Sequence, residues 1–543
     1  MTPAPENTPR TDPLAELRAA VGAAAADAAG AEKVPSGVAL ERPKNQAHGD
    51  FATNAAMVCA PIARDNPRNV ADSISEKLAA ALGESLASAE VAGPGFLNLR
   101  LTDGWYSAAL GHLLGDGDFG AGVAEVPERI NLEFPSANPT GPLHIGHGRN
   151  AAYGDALGRV LSFAGHQVTR EYYSNDYGTQ VERFGASIAA RARGVEVPED
   201  GYQGAYIDEI ASSIDGAGEL PAEELQELGV AKMLEMIGAT LERMGVAIDV
   251  WFSERSLHDG RFEQAIETLT AAGHVYEHDG ALWLRTSELG DDKDRVLRRG
   301  SGDYTYFATD IAYHQDKKSR GADRLIDVWG ADHHGYIARM KAAYAALGND
   351  PDTFEPVIMQ LVNLTEGGQR VQMSKRTGEF VTVDDLLDDI GADALRFFLI
   401  QRSHETTMDL DLALAREQSD KNPVYYVQYA HARINSILEK AGLGEDAGLP
   451  SVVPELHESE RALIRRLIEF PDEISETAAR RAPHRLTIYG RDLAAEFSAF
   501  YRDCKVVGEA PDVTQFRVAL CVASKRVLAR TLDLLGVSAP ERM

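Results

Sequence analysis

From residue 13 to residue 32 small apolar and polar side chains alternate in the rhythm of a helix. The turn His48-Gly49-Asp50 leads into a second helical run from about Ala52 to Ala63, and "NVADSISEKLAAAL" reads as a third. "GPGFLNLRL" (Gly93–Leu101) instead alternates with period two between Gly and Pro, which predicts a strand. These elements form an α+β unit ending near residue 120. The pattern then changes. "RINLEF" (Arg129–Phe134) is a short strand, and Ala151 to Ala164 places Leu157, Val160, Leu161 and Ala164 on one helix face before the stop at Gly165. "QVTREYY" is a second strand. Strand, loop, helix and strand in about 45 residues make a βαβ unit and imply a parallel sheet. "RLIDVWG" (Arg324–Gly330) and "EPVIMQLVNL" (Glu355–Leu364) extend it. A charged, largely helical stretch from about Asp200 to Gly300 separates the two halves, and from about Lys421 onward long helical patterns run to the end.

The chain length of 543 residues accommodates three or four such units at about 150 residues each. No apolar run of about 18 residues occurs, so no membrane partner is expected. The N-terminus carries Glu6, Asp12 and Glu16 and lacks the basic start of a secretory signal. Cys59, Cys504 and Cys521 form no CxxC pair, which excludes a disulfide framework and fits a cytoplasmic location. The net charge of −29 speaks against a polyanionic partner for the chain as a whole. Residues 461–543, however, hold 14 basic against 11 acidic side chains, so the body is acidic and the C-terminal end mildly basic.

Two stretches carry candidate chemistry. In "SANPTGPLHIGHGRN" (Ser136–Asn150) a Pro/Gly loop after a strand opens a helix near His144. Helix N-termini present N–H groups and a positive dipole to phosphate. His144 and His147, at i and i+3, project from the same side of that turn, and Gly146 leaves room between them. "GGQRVQMSKRTGEFV" (Gly367–Val381) sets a Ser-Lys pair in a basic, glycine-rich loop whose lysine can neutralise charge on a transferring group. "GDGDFGAG" (Gly115–Gly122) has the GxGxxG spacing but follows a helical pattern and would point aspartates at phosphate. Asp332-His333-His334 has no second ligand pair, so no metal site is expected there.

The two stretches resemble the His-Ile-Gly-His and Lys-Met-Ser-Lys-Ser motifs of class I aminoacyl-tRNA synthetases. The second departs from the pattern, with Gln372 and Arg376 at its first and last positions. Within the class the chain is most similar to arginyl-tRNA synthetases. "RPKNQAHGDFATNAAM" and "GPGFLNLRL" resemble that family's N-terminal tRNA-binding module. "DYTYFATDIAYH" and "DVWGADHHGYIARM" resemble its catalytic core, and "GADALRFFLI" (Gly391–Ile400) the stretch that names its C-terminal domain.

The resemblance implies an α/β fold: an N-terminal tRNA-binding α+β module (1–120), a Rossmann-like catalytic domain (121–420, with an insertion over about 190–300) and an all-α anticodon-binding bundle (421–543). It implies ATP-dependent activation of L-arginine and transfer to the terminal ribose of tRNA(Arg), with Mg²⁺ accompanying ATP as substrate and no tightly bound metal. A monomer is expected, with no DNA partner. By the resemblance His144, His147 and Lys375 are catalytic. Pro142, Leu143, Gly146, Met373 and Ser374 complete the ATP site. Glu133, Ser136, Asn138, Tyr306, Asp310 and His334 form the arginine pocket, within a motif region that includes Ala137, Pro139, Thr140, Gly141 and Ile145. Two alternatives stand beside this reading: a ligase of the same class for another amino acid, and an inactive tRNA-binding paralogue. Acidic pocket residues favour a cationic substrate over the first, and retention of the motif residues argues against the second.

Overall fold

The computed structural model describes residues 12–43, 45–370, 381–442 and 447–543. At its centre five parallel strands form one sheet. In chain order these are β1 (Arg129–Glu133), β2 (Gln167–Ser174), β3 (Val250–Ser253), β4 (Arg324–Gly330) and β5 (Phe354–Met359). Their spatial order is β5-β4-β1-β2-β3. The chain therefore moves outward in one direction from β1 to β3 and then returns to lay β4 and β5 on the other side. Ligands of doubly wound sheets bind where that reversal occurs, at the carboxyl ends of the strands between β1 and β4.

Helix α1 (Ile145–Ala164) follows β1 and is capped at its far end by Gly165, in the left-handed conformation at φ 111°. A Cβ on Gly154 would lie 2.3 Å from the Phe134 ring, so only glycine lets α1 settle onto the end of β1. Helix α2 (Tyr306–Ser319) precedes β4, and α3 (Ile337–Ala346) precedes β5.

Three features differ from the pattern read along the sequence. The stretch between the halves is not mainly helical throughout. It supplies β3 to the central sheet, and residues 275–298 form a separate three-stranded antiparallel sheet. These strands are four residues long, too short for alternation to declare itself. "EPVIMQLVNL" is two strands rather than one. It breaks after Met359, and Val362–Glu366 pairs in parallel with Met408–Asp411 in another sheet. Its two halves are similarly apolar, so only pairing partners separate them.

The N-terminal part packs helices Pro13–Ala29, Ala55–Ala63 and Pro67–Leu82 against an antiparallel four-stranded sheet. It is fastened to the C-terminal helices by the buried Arg465, which reaches Asp50 at 2.6 Å and the Tyr106 hydroxyl at 2.7 Å. From Pro423 the described chain is helical. Among the described residues no helix is long and apolar enough to cross a membrane.

Candidate active site

Helix α1 begins where the sequence places it. His144 is its N-cap, and its Nδ1 accepts hydrogen bonds from the backbone N–H groups of Gly146 at 3.0 Å and His147 at 3.4 Å. An accepting Nδ1 puts the proton of the neutral ring on Nε2, so the cap leaves His144 a donor at its outer nitrogen. The His147 ring stacks on it with centroids 3.7 Å apart. A Cβ on Gly146 would sit 2.9 Å from the His144 ring, so glycine is what allows the pair to form. Burial holds both imidazoles below the usual histidine range and takes His147 down to about 3, with a smaller repulsion from its neighbour. Both are therefore neutral at pH 7. Nδ1 of His147 is buried and has no hydrogen-bond partner among the described residues.

The loop that delivers this turn is fixed along its backbone. The carbonyl of Ala137 accepts from the Tyr172 hydroxyl at 2.7 Å, that of Thr140 from Tyr206 at 2.9 Å, and that of Leu143 from the Val383 N–H at 2.8 Å. Ser136 adopts the left-handed region at φ 49°, and its hydroxyl accepts from the Tyr173 N–H at 3.1 Å. Pro139 is buried in the same loop, Gly141 and Pro142 are half-buried, and Ile145 opens the helix. A backbone bridge between His144 and Thr382 holds residues 382–383 against the first turn of α1. Met373, Ser374 and Lys375 lie outside the described residues.

Beside this turn the strands align three carboxylates. Register pairs Glu133 of β1 with Glu171 of β2 and with Asp327 of β4, so the three form a row across one face of the sheet. Helix α2 crosses that row with His314, Lys317 and Arg320. Lys317 is fully buried between Glu133 and Asp327, 2.8 Å from the latter. Arg320 grips Glu171 with two hydrogen bonds of 2.5 and 2.8 Å. His314 Nε2 is 3.0 Å from Asp327. Burial raises Asp327 and Glu171, yet Lys317 on the first and Arg320 on the second outweigh it, and Asp327 falls to about 2. Glu133, by contrast, is raised by burial and by Asp327 despite its contact with Lys317. One ammonium shared between two carboxylates leaves Glu133 short of positive charge.

Further acids face the same space. Asp310 is half-buried in α2 and accepts a hydrogen bond from the Tyr336 hydroxyl; desolvation raises it. Thr305 caps that helix. Glu254, the residue after β3, accepts from the Tyr173 hydroxyl at 2.8 Å and is raised to about 7 by burial, with Asp310 and Asp176 adding repulsion. Tyr306, one turn before Asp310, is 71% exposed at the rim. Asn138 is exposed and donates to Gln180 at 2.8 Å, while His334 is exposed on the short helical turn after β4. The structure thus gathers Glu133, Ser136 and Asp310 with three residues the sequence reading did not single out, Lys317, Glu254 and Tyr336, while Asn138, Tyr306 and His334 lie exposed outside that cluster. Lys317 was findable, since Asp310, His314 and Lys317 recur at helical spacing in "DIAYHQDK". Glu254 had no such signal.

The sequence matches the family model for the class I (R) tRNA synthetase catalytic domain over residues 113–196 and 222–436. The arginyl-tRNA synthetase N-terminal domain matches over 15–101, and the DALR anticodon-binding domain over 427–543. Arginine–tRNA ligases of Carboxydothermus hydrogenoformans and Heliobacterium modesticaldum are each 45% identical, over 93% of this chain and 94% of theirs. The chain belongs to the arginyl-tRNA synthetases. The solved arginyl-tRNA synthetase of Thermus thermophilus superposes with a TM-score of 0.77 at 26% identity, over 97% of this chain and all of that one.

In this synthetase two C-terminal helices carry aromatic side chains on an outward face. On Pro423–Ala441, Val427, Ala430 and Ile434 are core, while Tyr429 points outward with Arg433 over its ring. Tyr501, from the helix His484–Asp503, meets the same guanidinium at 4.7 Å, and the pocket between them encloses about 350 Å³. Among the described residues no cluster of three His, Cys, Asp or Glu side chains is arranged to hold a metal ion.

Proposed function

We propose that the acidic cleft at the ends of β1, β3 and α2 takes arginine, and that the opening turn of α1 takes the phosphates of ATP, for the two-step charging of tRNA(Arg). In the first step the arginine carboxylate attacks the α-phosphorus and pyrophosphate leaves. In the second a terminal ribose hydroxyl attacks the mixed anhydride and AMP leaves. Neither step needs a nucleophile from the protein, so catalysis comes from positioning and from charge stabilisation.

The observation that carries this reading is the set formed by the buried Glu133 and Glu254 and the half-buried Asp310, all raised above the ordinary carboxylate range. An arriving guanidinium and α-ammonium would supply the missing counter-charge, and planar carboxylates suit a guanidinium. Asp310, with Glu254 and Tyr306 nearby, faces the guanidinium; Glu133 and Asn138 face the α-amino and carboxylate end, with Ser136 and His334 at the edge. His144 and His147 donate to phosphate as neutral rings beside the positive end of α1. Mg²⁺ enters with ATP. Lys375 is assigned to the transition state by its motif, and the anchoring of Thr382 and Val383 on the first turn of α1 supports a loop that ends at the phosphates. The exposed Tyr429, Tyr501 and Arg433 offer stacking surfaces of the kind that read unpaired RNA bases.

Charging assays with purified tRNA(Arg) test the reading. Arginine is the expected substrate, and charging by another amino acid in its place overturns the pocket assignment. His147→Ala is expected to lose about 1.5–3 kcal/mol of phosphate stabilisation, the scale of a hydrogen bond to a charged group. Turnover at wild-type rate would remove His147 from the site. Arginine binding is expected to strengthen with pH. Glu254 holds its proton below about 7 and must release it to face a cation, so affinity rises as pH climbs from about 6 to about 8 and then levels. For the free enzyme the sign is opposite: a raised carboxylate costs the folded state stability progressively as pH climbs from the ordinary carboxylate range to about 7, and the loss is complete above it. Arginine titrations at the two pH values, in the wild type and in Glu254→Gln, decide it; equal slopes in both proteins discard Glu254.

A further inference from the structure

Asp155 lies three turns along α1 from His144, about 16 Å down the helix at 1.5 Å per residue. Its buried carboxylate receives two guanidinium groups through Oδ2, Arg396 at 2.6 Å and Arg159 at 2.7 Å. The two arginines then repeat one pattern. Arg396 donates to the carbonyl of Met244 at 2.9 Å and of Leu535 at 3.0 Å. Arg159 donates to the carbonyl of Gly245 at 3.0 Å and of Asp533 at 3.2 Å. Met244 and Gly245 close the helix Ala222–Arg243, and Asp533 and Leu535 close the last helix, Pro511–Leu534.

Carbonyls at helix C-termini lack intrahelical partners and carry the negative end of the dipole. Two such ends, one from the insertion and one from the C-terminal bundle, therefore converge on two cations held by a single carboxylate of α1. Gly536 completes the joint. Its φ is +65°, and a Cβ there would lie 2.1 Å from Arg396 Nη2. Asp393, one turn before Arg396, takes the Ser538 N–H at 2.9 Å and so ties the same tail a second time. A fully buried ion pair contributes little net stability, and its best-attested use is to select one arrangement among several.

We propose that Arg396 is a positioning residue for the reaction: with Arg159 and Asp155 it sets α1, and hence His144 and His147, in a fixed orientation against the C-terminal bundle. The proposal rests on the phosphate site assigned to the first turn of α1. Lysine at 396 keeps a charge for Asp155 but, as a point charge, cannot span all three acceptors.

In the full-length enzyme, with active sites titrated, Arg396→Lys is expected to lower charging turnover per site by about 2- to 30-fold, the span of coupling through such networks. Arginine KM and tRNA Kd stay within about twofold, the signature of an interaction expressed in turnover rather than in binding. Arg159→Gln, at a residue 28% exposed, is expected to act in the same direction and decides the matter if Arg396→Lys does not fold. Wild-type turnover per titrated site, with only fewer active sites or a lower melting point, overturns the proposal. His147→Ala in the same assay separates the two claims: an unchanged ATP dependence there discards the phosphate site itself, whatever the arginine variants do.

Discussion

Replacing Asp310 by Asn is expected to weaken arginine binding by about 2–5 kcal/mol, the cost of neutralising one partner of a buried, hydrogen-bonded charge pair. The cleft explains the size. Asp310 is half-buried and raised, accepts from the Tyr336 hydroxyl, lies close enough to Glu254 to raise that residue's cost of ionisation, and has its own raised by Asp327. In the free enzyme these charges oppose one another; with a guanidinium between them they act together. The same substitution is therefore expected to leave the melting temperature unchanged or raise it slightly, because a like-charge repulsion is removed where no substrate sits. Calorimetric titration with arginine reads the first effect and thermal unfolding the second. An arginine Kd within twofold of wild type would place the guanidinium elsewhere in the cleft.

Lys317→Met has a different target. Lys317 is the fully buried cation between Glu133 and Asp327, and its removal strands two carboxylates. Breaking a buried pair in this way costs about 3–5 kcal/mol. For a cooperative unit of about 150–250 residues this amounts to roughly 6–20 °C in melting temperature. The deficit carries a pH signature. In the wild type Asp327 is depressed to about 2, so its contribution is present at neutral pH and is lost only as pH falls towards that value. In the variant both carboxylates rise above their unfolded values, and the folded state gains relative stability as they take up protons. The gap between the two proteins should narrow from pH 8 to pH 5. A gap that stays constant would mean that packing, not charge, is what Lys317 supplies. Arginine binding should suffer as well, since Glu133 loses the partner that orients it.

The sequence alone determined the local elements and the turn on which the chemistry begins. Strand, Pro/Gly loop, helix and strand were legible because 2.0- and 3.6-residue periods are local properties, and His144 at a helix start was legible because capping is decided within four residues. The motif residues identified the family for the same reason: they are contiguous. Hidden from the sequence were the elements whose identity depends on a distant partner. Val250–Ser253 is a strand because β2 lies beside it, and the break in "EPVIMQLVNL" exists because its second half pairs with Met408–Asp411.

The same division runs through the site. Glu133, Glu171 and Asp327 are separated by many residues and become one row only through strand register, and Lys317 is their counter-ion only because α2 crosses that row. Glu254 acquires its unusual proton affinity from burial beside Asp310 and Asp176, neither of which is near it in the chain. Periodicity and capping are short-range and survive in a string of letters. Register, burial and the electrostatics of a shared cleft are long-range, and the tertiary structure alone decides them.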